Sequence, residues 1–285
     1  MPALVEYHPV SGLPMIEQAG EFRVLGCLPP HLKCSLPAWG SSPASNRLDP
    51  SQWVERNWHA AWKVKTTDQK SSQACVGHST EKVWTYTWLQ NGGRPLEFSN
   101  TYVYSLINGG TDGGAVISDA MTALKMYGIA EKRLVPDDMI FRAQLPAEAY
   151  ANARRFRAVE VYRCLSFADI VSAISLGHTV ASGIFVGRNF GELSSDGVAP
   201  LPDQIVGGHA LAHVGIKYLS RLSRWGVLTQ NSWSQEWGFR DETTGEGGFC
   251  YLVEEHWQRM QPDAWAVVGV QEDPDFPDDD LPVAR

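Results

Sequence analysis

Four residues of this chain carry side chains suited to one piece of chemistry: Gln69, Cys75, His209 and Asn231. A thiol attacks a carbonyl carbon only as a thiolate. It therefore needs a base, a partner that orients the base, and donors for the oxyanion that forms. Cys75 opens a proline-free stretch in which a helix N-terminus would offer unpaired backbone N–H groups and a favourable dipole to the thiolate. His209, in Gly207-Gly208-His209-Ala210, would take the proton. Asn231, in Gln230-Asn231-Ser232-Trp233, would accept from the second imidazole nitrogen and fix the tautomer, with Trp233 covering that bond from water. Gln69, six residues before Cys75, offers a side-chain amide to the oxyanion, and the Cys75 backbone N–H is the second donor.

These groups need elements to position them. Val76, Val83, Trp84 and Trp88 recur at helical spacing from Cys75 to about Leu89, with Ser71 or Ser72 as the cap and Asn91-Gly92-Gly93 as the stop. A second helix is expected over Ser118–Tyr127 before Gly128, and a third from Ser166 to Gly177, its start marked by Ser166 and Asp169. Thereafter the pattern turns to strands over residues 178–186, 209–218, 226–230, 248–253 and 264–270. Helices followed by strands give an α+β protein of two lobes. The expected division is an extended N-terminal arm (1–50), a helical lobe (51–160), a β lobe carrying His209 and Asn231 (161–270) and an acidic, disordered tail (271–285).

The motifs resemble those of the papain/cathepsin family of cysteine peptidases. In that family Gln and, six residues on, Cys open a central helix, His follows on a strand, and Asn-Ser-Trp with a later Trp-Gly closes the site; here these are Gln69, Cys75, His209, Asn231-Ser232-Trp233 and Trp237-Gly238. Cys75 and His209 lie 134 residues apart (209 minus 75), inside the roughly 130–150 usual for that family. The resemblance spans about residues 50–260 and implies a two-lobed fold, a helical lobe beside an antiparallel, barrel-like β lobe, with the site in the cleft. It implies a Cys-His-Asn peptidase acting on peptides or proteins without metal or organic cofactor. Asp112-Gly113-Gly114 resembles the glycine stretch whose backbone pairs with substrate, Gly208 implies room beside the histidine, and Gly245-Glu246-Gly247-Gly248-Phe249 resembles the turn after the Asn motif. The chain departs from the family at Ser72, where a disulfide cysteine usually stands, and at Val76, usually Trp. Its N-terminal arm is shorter than the usual inhibitory pro-segment. A catalytically inactive homologue used as a binding or assembly module is the alternative. A transglutaminase-like acyl transferase fits less well, since such sites complete the triad with Asp.

Composition narrows the field. The net charge of −8, from 24 basic and 32 acidic residues, gives no basic face for nucleic acid. No apolar run reaches the roughly 18–20 residues of a membrane span, and Glu6, Glu17 and Glu21 break up the start as a signal peptide, which points to a cytoplasmic, reducing setting. Five cysteines leave at least one unpaired, and Cys27 and Cys34 are close enough in sequence to bridge. Cys27, Cys34, Cys164 and Cys250 read as small buried hydrophobes. His78 and His213 invite a metal reading with Cys75 and His209. However, His209 and His213 on one strand would lie about 13 Å apart, too far for one ion, so packing roles are expected. Trp84, Tyr86 and Trp88 are expected in the core, and the stretch from Phe190 to Ile205 is the first candidate for a loop blocking the cleft.

Overall fold

The computed structural model describes residues 6–18, 21–31, 35–260 and 263–273. Three short strands, β1 (Glu6–Tyr7), β2 (Pro14–Gln18) and β3 (Glu21–Val24), pair antiparallel in that order. Next come β4 (Arg56–Asn57), α1 (Trp58–Trp62), α2 (Cys75–Gln90), α3 (Asn100–Ile107), α4 (Ile117–Met126) and α5 (Ala147–Arg154). The remainder is β5 (Phe156–Cys164), α6 (Phe167–Ser175), β6 (Thr179–Gly187), β7 (Ile205–Leu219), β8 (Arg224–Gln230), β9 (Phe249–Val253), α7 (Glu254–Met260) and β10 (Asp263–Glu272). Seven strands form one antiparallel sheet in the order β5-β10-β6-β7-β8-β9, with β4 added on β7. Edge strands β5 and β9 do not pair with each other among the described residues. The α+β class is therefore as expected, but the sheet is open and not barrel-like.

α2 is the centre of the molecule. It packs on β6, β7 and β10 along one side and on α3 and α4 along the other. Its apolar residues Val76, Val83, Trp84 and Tyr86 have no exposed surface, and its polar ones are buried with them. Of its 16 residues, 14 are buried. The charges it carries inward are paired: Lys82 donates to Glu81 at 2.7 Å, and the Thr85 hydroxyl donates to the same carboxylate at 2.8 Å. Trp84 and Trp88 meet Phe98 edge-on with centroids 5.8 and 6.0 Å apart, and Phe98 meets Phe156 at 5.2 Å.

The helix runs one residue beyond the expected end, but its cap differs. Ala74 is the N-cap and makes no side-chain bond, while the Ser72 hydroxyl turns back to the Gln69 carbonyl. At the α6 start the Ser166 hydroxyl accepts the Asp169 N–H as expected. The Asp169 carboxylate instead takes the Leu165 N–H and the Arg47 guanidinium, so the reciprocal half of the box is absent. The sequence pattern marks no element at β1–β4, α1, α3, α5, β5 or α7. β10 extends to Glu272, which pairs with Arg94 and Arg155; the acidic stretch from residue 274 lies outside the described residues.

His78 and His213 are core residues. His78 Nδ1 meets the Thr67 hydroxyl at 2.7 Å, and His213 bridges Ser182 and Thr229 at 2.6 and 2.9 Å. Among the described residues no group of three or more His, Cys, Asp or Glu is placed to hold a metal ion. Burial lowers both imidazoles to about 3 and pushes the Cys164 and Cys250 thiols up. Below about pH 6.5 the unfolded chain binds protons that the folded chain refuses, so stability falls with acid. Above about pH 8.5 the unfolded thiols release protons that the folded ones keep, so stability falls with base. Stability against denaturant should accordingly peak near pH 7–8 and fall by about 1.4 kcal/mol per pH unit for each group in play on either side. A midpoint that stayed level between pH 7 and 5 would contradict this.

Candidate active site

Gln69 lies just before α2 and Cys75 at its first position, while His209 and Asn231 come from the sheet. The Ala210 N–H, next to His209, reaches the Cys75 sulfur, but among the described residues no hydrogen bond joins Cys75 to His209. The segment leading to Cys75 is tied to the loop after β8: the Gln69 N–H donates to the Ser232 carbonyl at 2.9 Å, and the Ser232 hydroxyl donates to Gln69 Oε1 at 2.8 Å. Ser232 was not anticipated as a site residue; its place in Asn-Ser-Trp was its only signal. His209 lies in β7 and Asn231 directly after β8, its neighbour in the sheet. His209 Nε2 meets Asn231 Oδ1 at 2.7 Å, and the same oxygen accepts the Ser232 N–H at 2.7 Å. Two donors on one atom identify it as the amide oxygen, so the imidazole proton sits on Nε2 and the Nδ1 lone pair is free. Nδ1 is buried and has no hydrogen-bond partner among the described residues. Trp233 stacks on the imidazole, centroids 4.5 Å apart at 27°, and is itself packed by Phe190 and Trp237 at 5.8 and 5.6 Å. Trp233, 1% exposed, props the histidine ring.

None of the four is open to solvent: Cys75 and His209 are 0% exposed, Gln69 and Asn231 3%. The cover is the chain's own segment 24–28, which was not foreseen. The Val24 carbonyl accepts from Gln69 Nε2 at 3.2 Å, the donor expected to serve the oxyanion. The Cys27 N–H donates to the Gly208 carbonyl at 3.0 Å. Ala115 then clamps the segment from the other wall, its N–H donating to Gly26 at 2.9 Å and its carbonyl accepting from Leu28 at 2.9 Å. Apart from Gln69, every partner is a peptide group, so the segment docks as an added strand. Glycines make the approach possible. A Cβ on Gly26 would stand 2.1 Å from the Gln73 carbonyl oxygen, and one on Gly208 2.1 Å from that of Cys27. One on Gly114 would stand 2.5 Å from that of Gly26, whereas Gly113 does not touch the segment. Arg23, 4% exposed, anchors the segment through Asp68 at 2.6 Å and through Glu21. Asp112 accepts from the Tyr104 hydroxyl at 2.6 Å and the Gln73 N–H at 3.1 Å, holding the glycine wall against the start of α2.

The blocking element is thus the arm and not the stretch from Phe190, whose ring stacks on Trp237 behind the site. Cys27 is a free buried thiol, which removes the bridge considered with Cys34; Cys34 itself lies outside the described residues. A cavity of about 660 Å³ opens elsewhere, beside Arg56, Lys217, Tyr218 and Asp241, and shares no residue with the site.

Burial governs the charges. It pushes the Cys75 thiol up to about 11, against the pull of the backbone N–H groups of Ala210, Gly26, Val76 and Cys75 itself. It lowers the His209 imidazole to about 4, against the bond to Asn231. Near neutral pH the covered pair is therefore thiol and neutral imidazole. Gly26→Ala, which cannot fit against the Gln73 backbone, should displace the arm and speed alkylation of Cys75 by iodoacetamide at pH 7 at least tenfold, read by site-mapped mass spectrometry. An unchanged rate would mean that the arm does not control access.

No protein-family model and no curated protein sequence matches the chain. Solved structures do. Xylellain, a cysteine protease from Xylella fastidiosa, superposes with a TM-score of 0.69 at 18% identity, over 87% of this chain and 96% of that one. Procathepsin B from Trypanosoma congolense gives 0.68 at 17%, over 87% of each chain. The bromelain protease from Ananas comosus gives 0.59 at 15%, over 75% of this chain and 99% of that one. At such identities the likeness speaks for architecture, and the chain has the papain-like cysteine protease fold.

Proposed function

We propose that the chain is a cysteine-type peptidase whose groove is filled, at rest, by its own residues 24–28. One observation carries the reading. A peptide segment lies across the thiol in extended form, clamped by Ala115 and Gly208, with one carbonyl on the Gln69 amide. A groove that holds a peptide by backbone bonds is suited to peptide or protein substrates of varied sequence.

Once the segment withdraws, water reaches the site and the penalty on charge falls. His209 Nδ1 takes the Cys75 proton, and the thiolate is stabilised by the N-terminal amides of α2. The sulfur attacks the substrate carbonyl carbon, and the electron pair moves to oxygen, held by Gln69 Nε2 and the Cys75 N–H. On collapse the C–N bond breaks, His209 gives its proton to the leaving amine, and a thioester remains. Water, deprotonated by His209, attacks the thioester and restores the thiol while releasing the acid. Asn231 keeps the proton on Nε2 throughout, and Trp233 holds the ring plane.

The test is labelling by a peptide-like thiol electrophile, followed by turnover of a fluorogenic peptide library. Single labelling at Cys75 that slows when His209 is replaced by Ala supports the peptidase. Labelling spread over several cysteines and indifferent to His209 would leave a binding module of the same fold. Gln69→Ala should lower kcat by about 10²–10³ with little change in KM. Full activity in that variant would remove Gln69 from the oxyanion role.

A further inference from the structure

A chain of hydrogen bonds runs through the core from the turn at Thr244 to the residue beside Asn231. His59 of α1, Tyr86 of α2 and Gln230 at the end of β8 carry it. His59 and Tyr86 are 0% exposed and Gln230 1%. Each bond fixes the direction of the next. Gln230 Nε2 donates to the Val64 carbonyl and the Thr66 hydroxyl, both at 3.0 Å, which turns Oε1 toward Tyr86. That oxygen only accepts, so the Tyr86 hydroxyl donates to it, at 3.1 Å. The phenol oxygen then accepts from His59 Nδ1–H at 3.2 Å, and His59 Nε2 takes the proton of the Thr244 hydroxyl at 2.9 Å. Burial agrees with this order. It lowers the His59 imidazole, which is neutral, and pushes the Tyr86 phenol up, so that it keeps its proton.

Both ends are anchored. Asp241, 4% exposed, accepts the Asn57 amide at 2.7 Å and the Thr243 and Thr244 N–H groups at 3.0 and 2.9 Å, which holds the turn that presents Thr244. At the other end the Thr66 hydroxyl donates to the Gly247 carbonyl at 2.8 Å, and the Asn231 N–H donates to the next carbonyl, that of Gly248, at 2.9 Å. A Cβ at Gly248 would stand 2.4 Å from the Thr66 methyl, so these two residues are pressed together. The network thus grips the chain at Gln230, one peptide away from the point where Asn231 Oδ1 meets His209.

We propose that Tyr86 is a positioning residue: through Gln230 it sets where Asn231 stands, and so how the His209 ring is held. Catalytic groups have to be kept within about 0.5 Å by what packs behind them. Loss of the Tyr86 hydroxyl leaves Gln230 Oε1 and His59 Nδ1–H buried without partners, and the end of β8 must shift to relieve them. The consequence for turnover rests on the peptidase reading, but the histidine can be observed without turnover.

Tyr86→Phe keeps the ring and removes only the hydroxyl. Tyr102→Phe is the control, because the Tyr102 hydroxyl is buried with no hydrogen-bond partner among the described residues. Nitrogen NMR of the full-length chain carrying isotope-labelled histidine reads the His209 tautomer. The native chain and the Tyr102 variant should show the proton on Nε2 alone, whereas Tyr86→Phe should show it shared between Nε2 and Nδ1. A general loss of stability would not change the tautomer of the folded chain. Should Tyr86→Phe not fold, Gln230→Met, which keeps the side-chain length and drops the amide, should give the same mixture. With the arm displaced by Gly26→Ala, Tyr86→Phe should lower kcat on a fluorogenic peptide at least fivefold and leave KM within twofold.

A single Nε2 tautomer in the altered chain, equal mixing in the Tyr102 control, or an unchanged kcat in an active enzyme overturns the proposal. Turnover with the tautomer fixed leaves the peptidase reading standing and removes Tyr86. Mixed tautomers in Tyr86→Phe, with no turnover even from the arm-displaced chain, support the positioning role and remove the peptidase.

Discussion

Exclusion of water from one thiol and one imidazole is the constraint on which the rest of the structure depends. Both groups sit where charge is penalised, the thiol pushed up to about 11 and the imidazole down to about 4. Burial is the largest cause of both shifts, and the segment overhead is part of that burial. Gln69 and Ser232 are knit reciprocally, and His209 is fixed by Asn231 on one edge and Trp233 on one face. The arm is held by peptide–peptide bonds, by the buried Arg23 guanidinium and by burial of Ile16, Val24, Leu25 and Cys27 in the core.

How much of this was legible in the sequence follows from what each contact is made of. Gln69, Cys75, His209 and Asn231 could be read because each role demands a particular functional group within a recognisable local run. α2 could be read because a helix buried on every side keeps a dense apolar pattern without proline. The arm could not. Its hydrogen bonds run through backbone N–H and C=O groups that every residue except proline carries, and its buried Val24 and Leu25 are ordinary apolar residues, so Val24–Leu28 looks like any extended stretch, and Gly26 like any turn glycine. β5 was missed for a related reason. Its burial breaks alternation at Val159–Glu160 and Val161–Tyr162, where the ladder to β10 is irregular, and it follows α5 directly with no turn signal between them.

The open sheet illustrates a third kind of illegibility. Whether β5 and β9 meet depends on accumulated strand tilt, which no local pattern encodes.

The cover belongs to the same molecule as the site, and this has a consequence for competition. A tethered segment is present at an effective concentration of about millimolar, whatever the protein concentration. Dilution does not release it, and a free peptide of equal intrinsic affinity must reach comparable concentrations before it occupies the groove as often. Opening is a first-order event of a single chain. Its rate is set by how often a handful of hydrogen bonds, the Arg23 ion pair and the buried side chains of Val24, Leu25 and Cys27 let go together, not by how many copies of the protein are present.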